Sequence, residues 1–283
     1  MKNSAILLVQ CPDRKGLDAT IAEFIYRYDG NILHFEQHQA GEERYYLARV
    51  EWLEGFRLEL KDFAEAFGPI AAKFGMNWRM ALGNYRPRVA IFVSKYDHCL
   101  VDLLYRQRNG ELCCDFPLMI SNHPDAKRHA DFYGIPYHII PVMKENKPEA
   151  ERQERDLLEA HMVDLLVLAR YMQVLSPDFI AHYPQRIINI HHSFLPAFVG
   201  GKPHHQAYER GVKLIGATAH YVTEVLDDGP IIEQGVTRIT HRDGLDDLVE
   251  KGRDLEKVVL SRAVRWHIEN RILLYDNKTV IFE

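Results

Sequence analysis

From Arg88 onward, short unbroken apolar runs alternate with stretches of helical periodicity, and no other feature of the chain limits its fold so narrowly. The runs lie near residues 88–94, 115–121, 137–140, 163–168 and 186–191, with helical stretches near 98–109, 125–133 and 146–161 between them. A strand that is apolar on both sides has to be covered on both sides. The pattern therefore predicts an α/β fold with an open, mostly parallel sheet between layers of helices. Ligands of such sheets sit at the carboxyl ends of the strands. A long helix from about Asp243 to Leu274, apolar through Leu248, Leu255, Val259, Ala263 and Trp266, is expected to pack that domain.

The first 83 residues follow another rhythm. A run from Ala5 to Cys11 leads through Pro12–Gly16 into a helix with Leu17, Ile21, Phe24 and Ile25 on one side. Two strands flank a turn at Gly41-Glu42-Glu43, a helix follows with Leu58, Leu60, Phe63, Phe67 and Ile70, and a strand from Met76 to Leu82 ends the unit. This β-α-β-β-α-β order is the ferredoxin-like arrangement. The turn-rich stretch after it places a small domain at 1–83, a linker at 84–87 and a larger domain at 88–283, and 283 residues suffice for two cores.

Composition narrows the partners. With 27% charged residues and a net charge of −5, the chain lacks the basic excess of nucleic-acid-binding proteins. No apolar stretch approaches the roughly 20 residues of a membrane helix, and the start lacks the length and cleavage site of a signal peptide. A cytoplasmic protein is expected, with neither nucleic acid nor membrane as partner. Cys11, Cys99, Cys113 and Cys114 form no CxxC spacing, and the vicinal pair, on an apparent strand, points to opposite faces, so reduced thiols are expected.

Polar chemistry collects at the end of the run Arg186–His191. Period-two alternation puts Asn189 and His191 on one side and Ile188 and Ile190 on the other. An amide and an imidazole that converge can polarise a carbonyl and stabilise the oxyanion formed when a nucleophile adds to it. That suits acyl transfer or acyl hydrolysis. A further strand, Gly216–Val222, runs into Thr223–Pro230, where Asp227 on a Gly-Pro turn would supply a carboxylate to orient His191 and take a proton from water. Each group has a plainer reading: Asn189 and His191 as partners of loop backbone groups, Asp227 and Asp228 as turn formers. The 15 histidines include the pairs His191-His192 and His204-His205, but adjacent strand residues point apart and no HxxxH or thiolate partner completes a set. No metal is expected.

Three segments in order, Leu168–Ser176, Asn189–Pro196 and Gly216–Pro230, resemble the folate-dependent formyltransferase family. The resemblance implies a Rossmann-like sheet with Asn189, His191 and Asp227 as the catalytic trio. It also implies that Tyr171, Met172, Gln173, Val174 and Leu175, with Val225, Leu226 and Asp228, enclose the folate pterin, largely through backbone groups. The folate is then substrate, and no separate cofactor is called for. The front domain, through Asp13-Arg14-Lys15-Gly16-Leu17 and Gly30-Asn31-Ile32, resembles an ACT domain. That implies a small amino-acid effector, glycine or methionine, bound by Asp13, Lys15, Gly16, Leu17 and Asn31 at a subunit interface, and hence a homo-oligomer.

Relatives that formylate a phosphorylated glycinamide hold its phosphate in a Gly-rich loop after the first strand of the larger domain, where backbone amides approach the anion. Here that loop reads Val93-Ser94-Lys95-Tyr96-Asp97-His98, without glycine and with Tyr96 placed to fill the acceptor pocket. His191-His192-Ser193-Phe194 likewise departs from the His-Pro-Ser common in transferases. The resemblance thus implies hydrolysis of 10-formyltetrahydrofolate to tetrahydrofolate and formate, supplying formate for purine biosynthesis and balancing one-carbon folate pools. The alternatives are transfer of the formyl group to an amine and an inactive amino-acid sensor. Lys95, Lys202 and Val199, the last where relatives carry lysine, receive no role.

Overall fold

The computed structural model describes residues 4–41, 45–53, 60–197 and 203–282. Glu42, Glu43, Leu58, Val199 and Lys202 lie outside the described residues. In the front unit, β1 (Ser4–Pro12), α1 (Leu17–Arg27), β2 (Ile32–Ala40), β3 (Tyr45–Leu53), α2 (Leu60–Phe74) and β4 (Asn77–Leu82) follow in the expected order. The strands form an antiparallel sheet in the order β2-β3-β1-β4, the ferredoxin-like arrangement, consistent with the ACT resemblance. Alternation along β1 and β3 sends Leu7, Val9, Val50 and Trp52 against Ile21, Phe24, Phe63 and Phe67 of the two helices. Burial of each such side chain contributes about 1.5–3 kcal/mol.

The larger unit contains β5 (Val89–Val93), α3 (His98–Arg108), β6 (Met119–Ser121), α4 (Lys127–Tyr133), β7 (Tyr137–Ile139), α5 (Lys147–Ala160), β8 (Leu165–Leu168), α6 (Pro177–His182) and β9 (Ile187–His191). α7 (Pro203–Arg210), β10 (Leu214–Tyr221), β11 (Ile231–Arg238) and α8 (Leu245–Ile268) complete it. The seven-stranded sheet runs β11-β10-β9-β8-β5-β6-β7, parallel from β9 to β7, with β10 antiparallel to β9 and to β11. Every residue of β5 and β8 is buried, as strands covered on both faces require. The order reverses between β5 and β8, where such folds open a ligand crevice.

Two expectations need correcting. The run near 115–121 yields a strand only at β6, because Pro117 lacks the N–H a ladder needs; Cys113 and Cys114 precede the strand, the first half-buried and the second buried. The final helix stops at Ile268 rather than Leu274. Asn270 turns the chain at φ 54°, and β12 (Ile272–Tyr275) and β13 (Lys278–Ile281) form a hairpin around Asp276, at φ 50°. Leu273 and Phe282 then pack on Ile6, Leu8, Ala40 and Leu47, the face of the front sheet away from its helices. The chain thus divides into residues up to Tyr85 with those from Glu269 onward, and Arg86–Ile268. Among the described residues, no helix is long and apolar enough to cross a membrane.

Candidate active site

β9 places Asn189 and His191 on one face, and the antiparallel register sets His220 of β10 opposite Asn189 and Thr218 opposite His191. Four polar side chains therefore share one patch of sheet. The segment after β10 then folds back over this patch. Tyr221 N donates to Pro230 O (2.9 Å), and Asp227, at φ 57°, brings its Oδ2 to 3.3 Å from His191 Nδ1 and its Oδ1 to 3.8 Å from His220 Nε2. Gly229 makes the return feasible: a Cβ there would lie 1.8 Å from Tyr221 O. Gly229→Ala is expected to displace Asp227 and to lower turnover at least about tenfold, more than it lowers the melting temperature, as parallel activity and thermal-unfolding assays would reveal.

The hydrogen bonds fix the tautomers. His220 Nδ1 lies 2.9 Å from the Tyr221 carbonyl, which only accepts, so Nδ1 carries the proton and Nε2 accepts from Asn189 Nδ2 at 3.2 Å. Burial lowers the His220 pKa and keeps the ring in the neutral form that this role demands. The second hydrogen of Asn189 Nδ2 finds no acceptor among the described residues and is available to a ligand. His191, 5% exposed, gives Nδ1 to Asp227, while its Nε2 is buried with no partner among the described residues. The His191 contact, reinforced by nearby imidazoles, holds the Asp227 carboxyl below the usual carboxylate range. An ionised carboxylate, an imidazole and an amide N–H thus converge, which is the equipment for adding water to a carbonyl.

The turn after β9 is pinned by Thr218, whose Oγ1 donates to Ser193 O (2.9 Å) and accepts from Leu195 N (3.1 Å) and Gln234 Nε2 (3.0 Å). The His192 ring lies tilted beside His191 at 5.3 Å between ring centres, and burial pushes its pKa down to about 3, leaving it neutral.

The segment 170–176 after β8 has no regular structure. Tyr171 and Leu175 turn inward, at 5% and 6% exposure, whereas Met172 and Val174 are open at 53% and 57%. Val225 and Leu226 are open too, at 62% and 57%, and Gln173 is half-buried. Asp228 is exposed, and its N–H lies 3.4 Å from Val225 O. Tyr171 Oη donates to Glu154 Oε1 (2.7 Å), and burial pushes Glu154 up to about 7. A carboxyl raised in this way binds its proton more tightly folded than unfolded. Its contribution to stability is complete below the ordinary glutamate value and is lost as pH rises through about 7. The stability advantage of Glu154→Gln over the native chain is expected to grow between pH 5 and pH 8, by up to about 3 kcal/mol in urea unfolding. A constant difference would contradict a raised Glu154.

Beyond His192, a second buried network joins the ends of β5 and β8. Ser94 N donates to Arg170 O (3.2 Å), Glu256 Oε2 lies 2.8 Å from His98 Nε2 and 3.4 Å from Arg170 Nη1, and the guanidiniums of Arg170 and Arg253 cover the Tyr96 ring. His98, Cys99 and Glu256 could offer three ligand atoms to a metal. The shared carboxylate oxygen is already committed to His98 and Arg170, and burial raises the Cys99 thiol, which opposes the thiolate a metal would take.

In the front unit the proposed effector residues do not converge within one chain. Asp13 accepts from Gln39 Nε2 (2.7 Å), Gly16 caps α1 at φ 90°, Lys15 is exposed and Leu17 is buried in the core. Asn31 precedes β2 beside Leu53, which pairs with Ser4 at the far end of the sheet from Pro12. At 3.3 Å per residue those ends lie about 26 Å apart.

The trio and both loops were thus named from sequence, whereas His220, Thr218, Gln234, Glu151, Glu154, Arg170 and Glu256 were not. Period-two alternation puts His220 on the same side of β10 as Gly216 and Thr218, and strand register then turns that side toward Asn189.

The family profile described as formyl transferase matches residues 87–264. A formyltetrahydrofolate deformylase of Synechocystis sp. is 54% identical over 99% of this chain and 98% of its own length. The crystal structure of a formyltetrahydrofolate deformylase from Pseudomonas syringae pv. tomato superimposes with a TM-score of 0.97 at 45% identity, covering 100% of this chain and 95% of that one. A glycinamide ribonucleotide transformylase from Symbiobacterium toebii aligns with a TM-score of 0.67 at 28% identity, covering 71% of this chain and 97% of its own. The chain belongs to the formyl transferase family, and within it to the formyltetrahydrofolate deformylases.

Proposed function

We propose that this chain hydrolyses 10-formyltetrahydrofolate to tetrahydrofolate and formate, with Asn189, His191 and Asp227 as its catalytic residues. The observation that carries this reading is His191, tied through Nδ1 to an ionised Asp227 while its buried Nε2 has no partner among the described residues, beside an Asn189 amide fixed by His220. Asp227 takes a proton from water as the water oxygen bonds to the formyl carbon. The resulting oxyanion is held by Asn189 Nδ2–H and by Nε2–H of protonated His191. His191 then passes that proton to N10 as the carbon–nitrogen bond breaks, and the proton on Asp227 returns to the imidazole. Formic acid leaves and ionises, so formate, tetrahydrofolate and one solvent proton are the products.

Met172, Val174, Val225 and Leu226, large apolar side chains left open on two loops, suit a flat pterin between them, with Tyr171, Gln173, Leu175 and Asp228 shaping the loops. Water as acceptor is supported by the glycine-free loop 93–98, where Tyr96 is held under two guanidiniums, and by the packed His98–Glu256–Arg170 network behind it. Formate so released would feed purine biosynthesis and adjust the one-carbon folate pools.

The front unit is an ACT-like sensor of glycine or methionine in a homo-oligomer. A site that uses both Asp13–Leu17 and Asn31 then draws them from two subunits, which the separation of these residues within one chain supports. The four free cysteines fit a reducing cytoplasm. Adding either amino acid should alter turnover or melting temperature; no response to either argues against the sensor. The hydrolase reading is tested by anaerobic incubation with 10-formyltetrahydrofolate with and without an amine acceptor. Formate should match tetrahydrofolate and be unaffected by the amine, whereas diversion of the formyl group to the amine would favour a transferase.

A further inference from the structure

Helix α5 carries two carboxylates in places where a helix that only packed would carry apolar side chains. Glu151 is 6% and Glu154 is 1% exposed, and they lie one turn apart on the same face. Burying a carboxylate is costly unless its oxygens are engaged. The hydrogen bonds of both reach one short segment. Glu154 Oε1 accepts from Tyr171 Oη (2.7 Å), near the start of loop 170–176. Glu151 Oε1 accepts from Ser176 N (2.8 Å), at its end, and Glu151 Oε2 accepts from Ser176 Oγ. Lys147 Nζ forms a long ion pair with Glu151, 3.8 Å from its Oε1. Ser176 Oγ also caps α6 through Phe179 N, so the grip continues into the next element. Between the two anchors the loop holds its backbone without regular structure and turns Met172 and Val174 outward.

We propose that Glu151 and Glu154 are positioning residues, a two-point clamp that holds loop 170–176 in the shape that receives the folate. The proposal rests on the reading of that loop as a wall of the folate site. A loop that recognises its ligand through backbone groups needs those groups fixed before the ligand arrives, since each torsion left free would be ordered at the expense of affinity. The clamp is remote from the reacting carbon and acts on binding, so its loss raises KM and spares kcat at saturation.

Glu154→Leu and Glu151→Leu keep an apolar side chain in each buried place and remove the carboxylate. Each should raise KM for 10-formyltetrahydrofolate, and Kd for tetrahydrofolate, by roughly tenfold, with kcat within about twofold of native. Glu154→Gln, whose amide oxygen still accepts from Tyr171, should bind almost as the native chain does. Tyr171→Phe should raise Kd by a similar factor, and combining it with Glu154→Leu should add little, because the two changes delete one interaction. Unchanged KM and Kd in both leucine variants overturns the clamp. So does a fall in kcat at constant KM, the mark of a merely structural loss. A native chain that neither binds tetrahydrofolate nor releases formate overturns instead the functional reading beneath it.

Discussion

Asp227→Asn is expected to lower kcat for formate release by about a thousandfold while KM stays within about threefold. The amide occupies the same volume on the same turn but cannot take a proton from water, and general-base assistance accounts for about 10²–10⁴ in rate. It also replaces the acceptor that fixes the proton on His191 Nδ1, 3.3 Å away. Loss of a base and loss of the negative charge beside the protonated imidazole act on the same step, so the effect falls on turnover rather than binding. Because the Asp227 carboxyl lies below the usual carboxylate range, the native enzyme should keep this base ionised throughout neutral and mildly acidic pH. Rate measurements from pH 5 to pH 8 on both proteins check this: an acid limb in that window that disappears in Asp227→Asn would contradict it.

Asn189→Ala should cost about 10²–10³ in kcat, the usual loss when one oxyanion donor is removed. His220→Leu should cost less, about tenfold, because Asn189 keeps its place on β9 and loses only the acceptor at 3.2 Å that aims its amide. The double variant should be no slower than Asn189→Ala alone, since His220 acts through Asn189. Stopped assays of tetrahydrofolate formation on the three variants test this directly. Multiplying effects would mean that His220 also acts by a route other than Asn189, such as Asp227 Oδ1 at 3.8 Å from its Nε2.

These residues mark where the amino-acid pattern was legible. Alternation along β9 was enough to set Asn189 and His191 on one side, because a strand has a period of two whatever surrounds it. Asp227 stood out as a carboxylate on a Gly-Pro turn, with a plainer reading as a turn former beside it, because its approach to His191 depends on a loop that folds back over the sheet and on the contact of Gly229 with the Tyr221 carbonyl, which no local preference encodes. The role of His220 depends on register between two strands, and pairing partners are not written in either one alone. Glu151 and Glu154 were hidden for another reason. They stand among Glu149, Arg152 and Arg155, and such a run reads as a solvated helix face until tertiary structure buries part of it. At the carboxyl terminus apolar residues continue past Ile268 through Ile272 and Leu274, so periodicity overran the helix; the turn formers Asn270 and Asp276 were the better guide.

Acceptor choice is the point on which the whole account turns, since Asn189, His191 and Asp227 would serve amine and water alike. The decisive measurement is mass spectrometry of formate produced from 10-formyltetrahydrofolate in heavy-oxygen water, with native chain and Asp227→Asn side by side. One heavy oxygen per formate from the native chain, with release slowed about a thousandfold in the variant, is the predicted result. Formate left unlabelled in a single turnover, its second oxygen then coming from an enzyme carboxylate, or undiminished release by Asp227→Asn, would contradict the assignment of water as nucleophile and Asp227 as its base.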